Sequence, residues 1–229
     1  MRLDKYLASV TDYSRSEVKK LIKSGRVLAA GEVVTDPRYV VEAMTPVALD
    51  GALLRHATPR YFMLNKPLGY VSATKDRQHL TVLELLDEDN PEQLHIAGRL
   101  DIDTTGLLLL TDDGQWSHRV TAPNKACAKT YLVETVEPIP ESAIAKFSEG
   151  VFLHNEKRRT LPAKLEIVDV QTARLTITEG KFHQVKRMFH AIENEVETLH
   201  RESIGAIVLD PSLGEGEYRA LTEQEIGSI

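Results

Sequence analysis

The sequence predicts an α+β protein in two unequal parts: a small basic module at the N-terminus, then a larger domain around a mixed, largely antiparallel sheet. Three observations carry that expectation. The 229 residues suit one large or two unequal domains. Basic side chains crowd the first 35 residues, seven against four acidic ones, in a chain of net charge −6. From Arg60 onward, six short apolar runs separated by turn signals outnumber two or three helical patterns. Hydrophobic residues at 42% and charged residues at 27% are ordinary globular values. The single cysteine, Cys127, excludes an internal disulfide framework and a cysteine-based zinc site. No apolar run approaches the roughly 20 residues that span a bilayer, and "MRLDKYLASV" lacks the layout of a secretory signal. A reducing cytoplasm and no membrane partner are expected.

At the N-terminus, Leu3, Tyr6, Leu7 and Val10 recur at helical spacing. "SRSE", Ser14 to Glu17, has the spacing of a capping box. The helix it starts is expected to bury Val18, Leu21 and Ile22 and to end at Gly25. Arg15, Lys19 and Lys23 are four apart and share its solvent face. "RVLAAGEVV" then reads as a hairpin around Gly31. From charge alone, such a face is either a plain solvated surface or an anion-binding one. "RLDKYLA", "SRSEVKKLIKSGRV" and "GEVV" resemble the S4 domain over about Met1 to Pro46, with Val18 where a small residue is more usual. The resemblance implies structured RNA held through its phosphates with little base readout. "DGALLRHATPRYF" passes through polar residues and a proline into a new apolar run, which puts the boundary near Thr58 to Arg60 and the domains at 1–58 and 59–229.

In the larger domain, "YFMLNKPLGYV", "LHIAG", "GLLLLT", "KTYLVETV", "AKLEIVDV" and "ARLTITEG" are the candidate strands. "HQVKRMFHAIENEV" is the clearest helix, with Val185, Met188, Phe189 and Ile192 as its apolar stripe. "GRLDIDTTGLLLLTDDGQW" holds four aspartates within thirteen residues. Leu107 to Leu110 suits a strand buried on both faces, although a run so short also admits a helix. Asp112 and Asp113, just ahead of Gly114 and the Trp116/Val120 pair, read as helix-capping or turn residues. Asp101 and Asp103 lie in a loop between two strands, a usual home for a catalytic group. A metal site is disfavoured there, because no histidine is near and Ile102 breaks the polar run of a calcium loop. A carboxylate acting at a sugar carbon is the other chemistry, and position leaves both Asp101 and Asp103 eligible for it.

"GRLDIDTTGLLLLTDDG" is similar to the core motif of the pseudouridine synthases, whose catalytic residue is the aspartate of "RLD". "LNKPLGYVSA", "KTYLV", "EGKFHQVKRMF" and "LHRESIGAIVLD" through "GEYRAL" resemble the family's other segments, in the family's order. The arrangement behind an S4-like module looks most like the bacterial synthases of the small-subunit (16S) rRNA. The resemblance implies that Asp101 is catalytic, that Tyr131 stacks on the target base, and that Lys186 stands where many relatives pair an arginine with the aspartate. It leaves Asp103 as a loop-ordering residue. At about 100° per residue, Lys186 flanks the apolar stripe and reaches inward, while Arg187 points outward to solvent or phosphate. Lys66, Arg99 and Arg187 join Arg15, Lys19 and Lys23 as RNA-contact candidates; Arg99 is equally a structural ion-pair partner. His183 and His190 are expected to be surface or RNA contacts.

The implied reaction breaks N1–C1′, turns the uracil and rejoins it through C5, with Asp101 attacking C1′ or removing the C2′ proton. That stoichiometry needs no cofactor and no metal. The expected partner is 16S rRNA or a small-subunit assembly particle, with the enzyme acting as a monomer. A non-catalytic RNA-binding or ribosome-assembly factor would share the basic module but has no need of Asp101, Tyr131 and Lys186 together. A nucleosidase using Asp101 and Asp103 would give no reason for an RNA module.

Overall fold

The computed structural model describes residues 1–42, 45–54, 58–122 and 127–229. The chain divides into two compact units, Met1–Thr58 and Pro59–Ile229. Residues 55–57, part of the polar stretch read as the linker, lie outside the described residues.

In the first unit, α1 (Leu3–Val10) turns Leu3, Tyr6 and Leu7 inward, and α2 (Arg15–Lys23) adds Val18 and Ile22. Leu21, expected in the core, is only half-buried at its edge. Both halves of the capping box form: the Ser14 hydroxyl accepts from the Glu17 N–H at 3.4 Å, and the Glu17 carboxylate accepts from the Ser14 N–H at 2.8 Å. Gly25, at φ +74°, turns the chain out of α2. It leads into β1 (Val27–Ala29) and β2 (Glu32–Val33), the hairpin around Gly31. With β3 (Val47–Leu49) and β4 (Ala52–Leu54) they make an antiparallel sheet in the order β2-β1-β3-β4. Val27 and Val47 complete the core under the two helices.

The second unit is built on β5 (Tyr61–Lys66), β6 (His95–Ala97), β7 (Thr105–Thr111), α3 (Gly114–Thr121), β8 (Lys129–Thr135), α4 (Ser142–Glu149), β9 (Lys164–Asp169) and β10 (Thr172–Ile177). Then come α5 (Gln184–His190), β11 (Val196–Ile204), β12 (Ile207–Val208), β13 (Tyr218–Ala220) and α6 (Glu223–Gly227). All six apolar runs are strands. The sheet runs β13-β5-β7-β11-β8-β10-β9, with β6 beside β7 and β12 beside β11. Among the described residues every pairing in it is antiparallel except β7 with β11.

Strand β7 is central, and its leucines show why. Leu108 and Leu110 pack into one core with Val133, Leu175, Phe147 and Phe189, while Leu107 and Leu109 pack into another with Met63, Trp116 and Ile204. Alternate side chains of a strand face opposite ways, so a sheet covered on both faces calls for an unbroken apolar run. The two aspartates after it are structural. Asp113 caps α3, accepting from the N–H groups of Gln115 (2.8 Å) and Trp116 (3.2 Å). Asp112 accepts from the backbone N–H (2.8 Å) and Nε (2.9 Å) of Arg60.

The parallel seam is closed by Gly106, which lies opposite Arg201 at φ +97°. A Cβ there would overlap the Arg201 backbone carbonyl and amide. Gly106→Ala is therefore expected to cost more than about 2 kcal/mol in urea unfolding, combining backbone strain with that overlap. Gly69→Ala, with φ +83° but open space around it, should cost only about 1 kcal/mol.

Candidate active site

The loop between β6 and β7 carries Asp101 and is gripped from several sides. Its neighbouring segment, "LNKPLGYVSA", supplies three of the holds. The Ser72 hydroxyl donates to the Leu100 carbonyl (2.8 Å) and accepts from the Leu100 N–H (3.0 Å). The Gly69 N–H donates to the Ile102 carbonyl at 2.9 Å. Lys66 donates from Nζ to the carbonyls of Thr104 (2.8 Å) and Pro67 (2.9 Å). From β11, Arg201 donates from Nε to the Leu107 carbonyl (2.8 Å) and from one terminal nitrogen to the Gly98 carbonyl (2.6 Å).

Asp101 is thereby fixed at a cleft of about 540 Å³, with its side chain 38% exposed. Such a volume falls within the usual range for small-molecule sites. Tyr131, Lys129, His183, Lys186 and Arg201 line the same cleft. Tyr131 is buried on β8 directly across from Arg201. Its hydroxyl accepts from the other terminal nitrogen of Arg201 at 3.4 Å, and the guanidinium carbon lies 5.9 Å from the ring centroid.

Several residues stand differently from their expected arrangement. Lys186 enters the cleft wall from α5, but its ammonium sits 2.5 Å from Oδ1 of Asp103, not on Asp101. Burial opposes ionisation of Asp103, yet that hydrogen bond and charge hold its carboxyl below the usual range. Asp101 instead faces His183, whose Nε2 lies 3.5 Å from Oδ1. Lys66, expected on RNA phosphate, is fully buried with its ammonium spent on two carbonyls, so it cannot reach a phosphate. Arg187, also expected there, is turned back onto the protein. It donates to the carbonyls of His154 (2.6 Å) and Phe182 (3.0 Å) and pairs with Glu156 at 3.5 Å. Arg99 is exposed at the cleft edge, and His190 is exposed on α5. In the first unit, Lys19 and Lys23 are exposed. Arg15 leans onto the buried carboxylate of Asp4 at 3.5 Å, which Arg2 also binds.

Sequence reasoning missed Arg201 and Lys129 altogether. Both are basic residues in β-strands, and the available signal was their place in "KTYLV" and "LHRESIGAIVLD", segments that carry the family resemblance. Lys129 donates to the Cys127 carbonyl at 2.8 Å, and burial pulls its ammonium below the ordinary lysine range.

A carboxylate at a cleft, an aromatic ring beside it and an S4-like module upstream define a class, and comparison with known proteins gives the same class. The family model for RNA pseudouridylate synthases matches residues 60–191, and that for the S4 domain matches residues 1–47. The chain belongs to the RNA pseudouridylate synthase family. It is 53% identical to the ribosomal small subunit pseudouridine synthase A of Salmonella typhimurium and to that of Escherichia coli, with 100% of both chains covered in each case. The protein of that name from Vibrio parahaemolyticus is 50% identical over 100% of this chain and 99% of its own. A crystal structure of a pseudouridylate synthase matches with a TM-score of 0.73 at 47% identity, covering 100% of this chain and 99% of that one.

The buried Lys66 gives the site a measurable pH signature. Burial pulls its ammonium from the ordinary 10.5 down to about 8, against the opposing pull of Asp103 and Asp101. Between those two values the unfolded chain holds a proton there that the folded chain has lost, so stability rises with pH across that window. Relative to Lys66→Met, the native protein is expected to gain on the order of 1–3 kcal/mol in urea unfolding between about pH 7.5 and 10.5. A difference that stays flat with pH would contradict a desolvated ammonium.

Proposed function

We propose that this chain converts a uridine of the small-subunit (16S) ribosomal RNA into pseudouridine, with Asp101 acting at the ribose of a nucleotide swung out of its stack. The observation that carries the reading is a half-open carboxylate at a nucleotide-sized cleft, on a loop that two separate segments hold in place. Full-length identity with the small-subunit enzymes supports the choice of RNA. The protein works as a monomer in the cytoplasm, where ribosomal RNA is assembled with its proteins.

The reaction is an isomerisation. The N1–C1′ bond breaks, the uracil turns, and a C5–C1′ bond forms; C5 gives up a proton and N1 gains one. Positive charge develops at C1′ as the base departs, and the Asp101 carboxylate meets it, by attack at C1′ or by taking the C2′ proton. Tyr131 offers its ring to the base from a strand position that Arg201 holds by a hydrogen bond and a cation–π contact. Lys186 acts one step removed, because its bond to Asp103 orders the turn that presents Asp101. Extruding the nucleotide costs a few kcal/mol when it starts stacked. Phosphate contacts offset that cost, from Arg99 at the cleft edge and from Lys19 and Lys23 on α2.

Incubating the protein with 16S rRNA and mapping pseudouridine by chemical labelling and primer extension tests the proposal. The native chain should produce one new stop. Asp101→Asn should lower the rate by at least about 10³-fold while binding the RNA as before. A fully active Asp101→Asn would remove the carboxylate from the mechanism. The double variant Lys19→Gln/Lys23→Gln should reduce the dependence of log affinity on log salt by about 1 to 2. An unchanged slope would take the α2 face out of RNA binding.

A further inference from the structure

We infer that Phe182, with Lys157 and Arg158 on the segment bonded to its own, forms a second RNA subsite at the cleft rim, taking an unpaired nucleobase next to the target uridine. The inference rests on the proposed RNA substrate. Phe182 lines the cleft and is 74% exposed, the most exposed large apolar side chain among the described residues. Its ring is stacked on His183 at a centroid distance of 3.7 Å and an angle of 20°. His183 in turn adopts the left-handed conformation, φ +47°, which a side chain rarely takes without a reason. Its imidazole touches Asp101. Carboxylate, imidazole and phenyl ring thus follow one another along the cleft lining.

An apolar ring exposed at a substrate cleft offers a face to a flat partner, and a nucleobase is one that every RNA supplies. The charge around it fits the same ligand. Segment 154–161 is joined to the segment that bears Phe182 by four contacts. Lys181 Nζ meets Glu156 at 3.1 Å, and Arg187 meets both Glu156 and the His154 carbonyl. The Leu161 N–H donates to Glu179 at 2.8 Å. Glu156 is therefore neutralised from within, and Lys157 and Arg158, both exposed, present net positive charge. A ring for the base and two cations for the phosphates are the parts of a single-strand RNA grip.

The test uses the full chain and a 16S rRNA fragment carrying 2-aminopurine beside the uridine that the mapping experiment identifies. Wild-type binding should quench the probe. Phe182→Leu, which keeps the apolar bulk but loses the π-face, should abolish the quenching and weaken RNA binding roughly 5- to 150-fold. It should raise KM more than it lowers kcat. Phe182→Trp should restore both quenching and affinity. Lys157→Gln/Arg158→Gln should lower the salt dependence by about 1 to 2 in the exponent. Phe182→Leu binding within twofold of wild type, with quenching intact, overturns the subsite. Full pseudouridine formation by Asp101→Asn, with Phe182-dependent quenching intact, would overturn the catalytic reading and leave the subsite standing.

Discussion

Arg201 is buried to 1% exposure, and its guanidinium spans the two ends of the loop that bears Asp101. A charge in such a place is costly unless its donors are used. Here they go to the carbonyls of Gly98 and Leu107 and to the Tyr131 hydroxyl. One side chain therefore ties together the start of the loop, its end, and the aromatic ring across the cleft. The planar fork makes this possible, since a lysine ammonium offers donors from one point and cannot serve three acceptors so far apart. Glycine at 98 and 106 is the other half of the arrangement. Both have positive φ, and Gly106 leaves the Arg201 backbone the space it occupies.

Around that guanidinium the charges are layered. Lys66 lies buried beneath the loop, near enough for both carboxylates to act on it. Above it Lys186 holds Asp103 and His183 holds Asp101. The two aspartates of "DID" thus differ in their partners although they are two residues apart. Asp103 takes a 2.5 Å hydrogen bond from the Lys186 ammonium, while Asp101 lies 3.5 Å from an imidazole nitrogen of His183. That contrast gives a physical reason why two carboxylates in one turn need not share one task.

Much of the scaffold was legible because burial writes itself into spacing. The capping box before α2, the hairpin at Gly31 and the six strands β5 to β10 each follow a local rule of period or turn chemistry. Leu107 to Leu110 announced a strand covered on both faces. Strand β11 was not legible, because it carries Glu197, His200, Arg201 and Glu202 and reads as a polar stretch. Nothing local distinguishes an arginine that will be buried from one left in water; the distinction comes from carbonyls 94 and 103 residues away. The same limit explains the ion pairs. Helical phase brings Lys186 to the cleft, but which aspartate it meets depends on the turn. Phase likewise sends Arg187 outward, yet segment 154–161 lies there to receive it.

The stretch from Gly98 to Leu107 is a ruler with both ends nailed to one guanidinium. Its residue types have some freedom, since the Ile102 side chain is exposed. Its count has none. One residue more or fewer would either free a carbonyl from Arg201 or shift the carboxylate along the cleft. Evolution of this segment should therefore proceed by substitution and leave insertions and deletions to the loops that nothing holds at both ends.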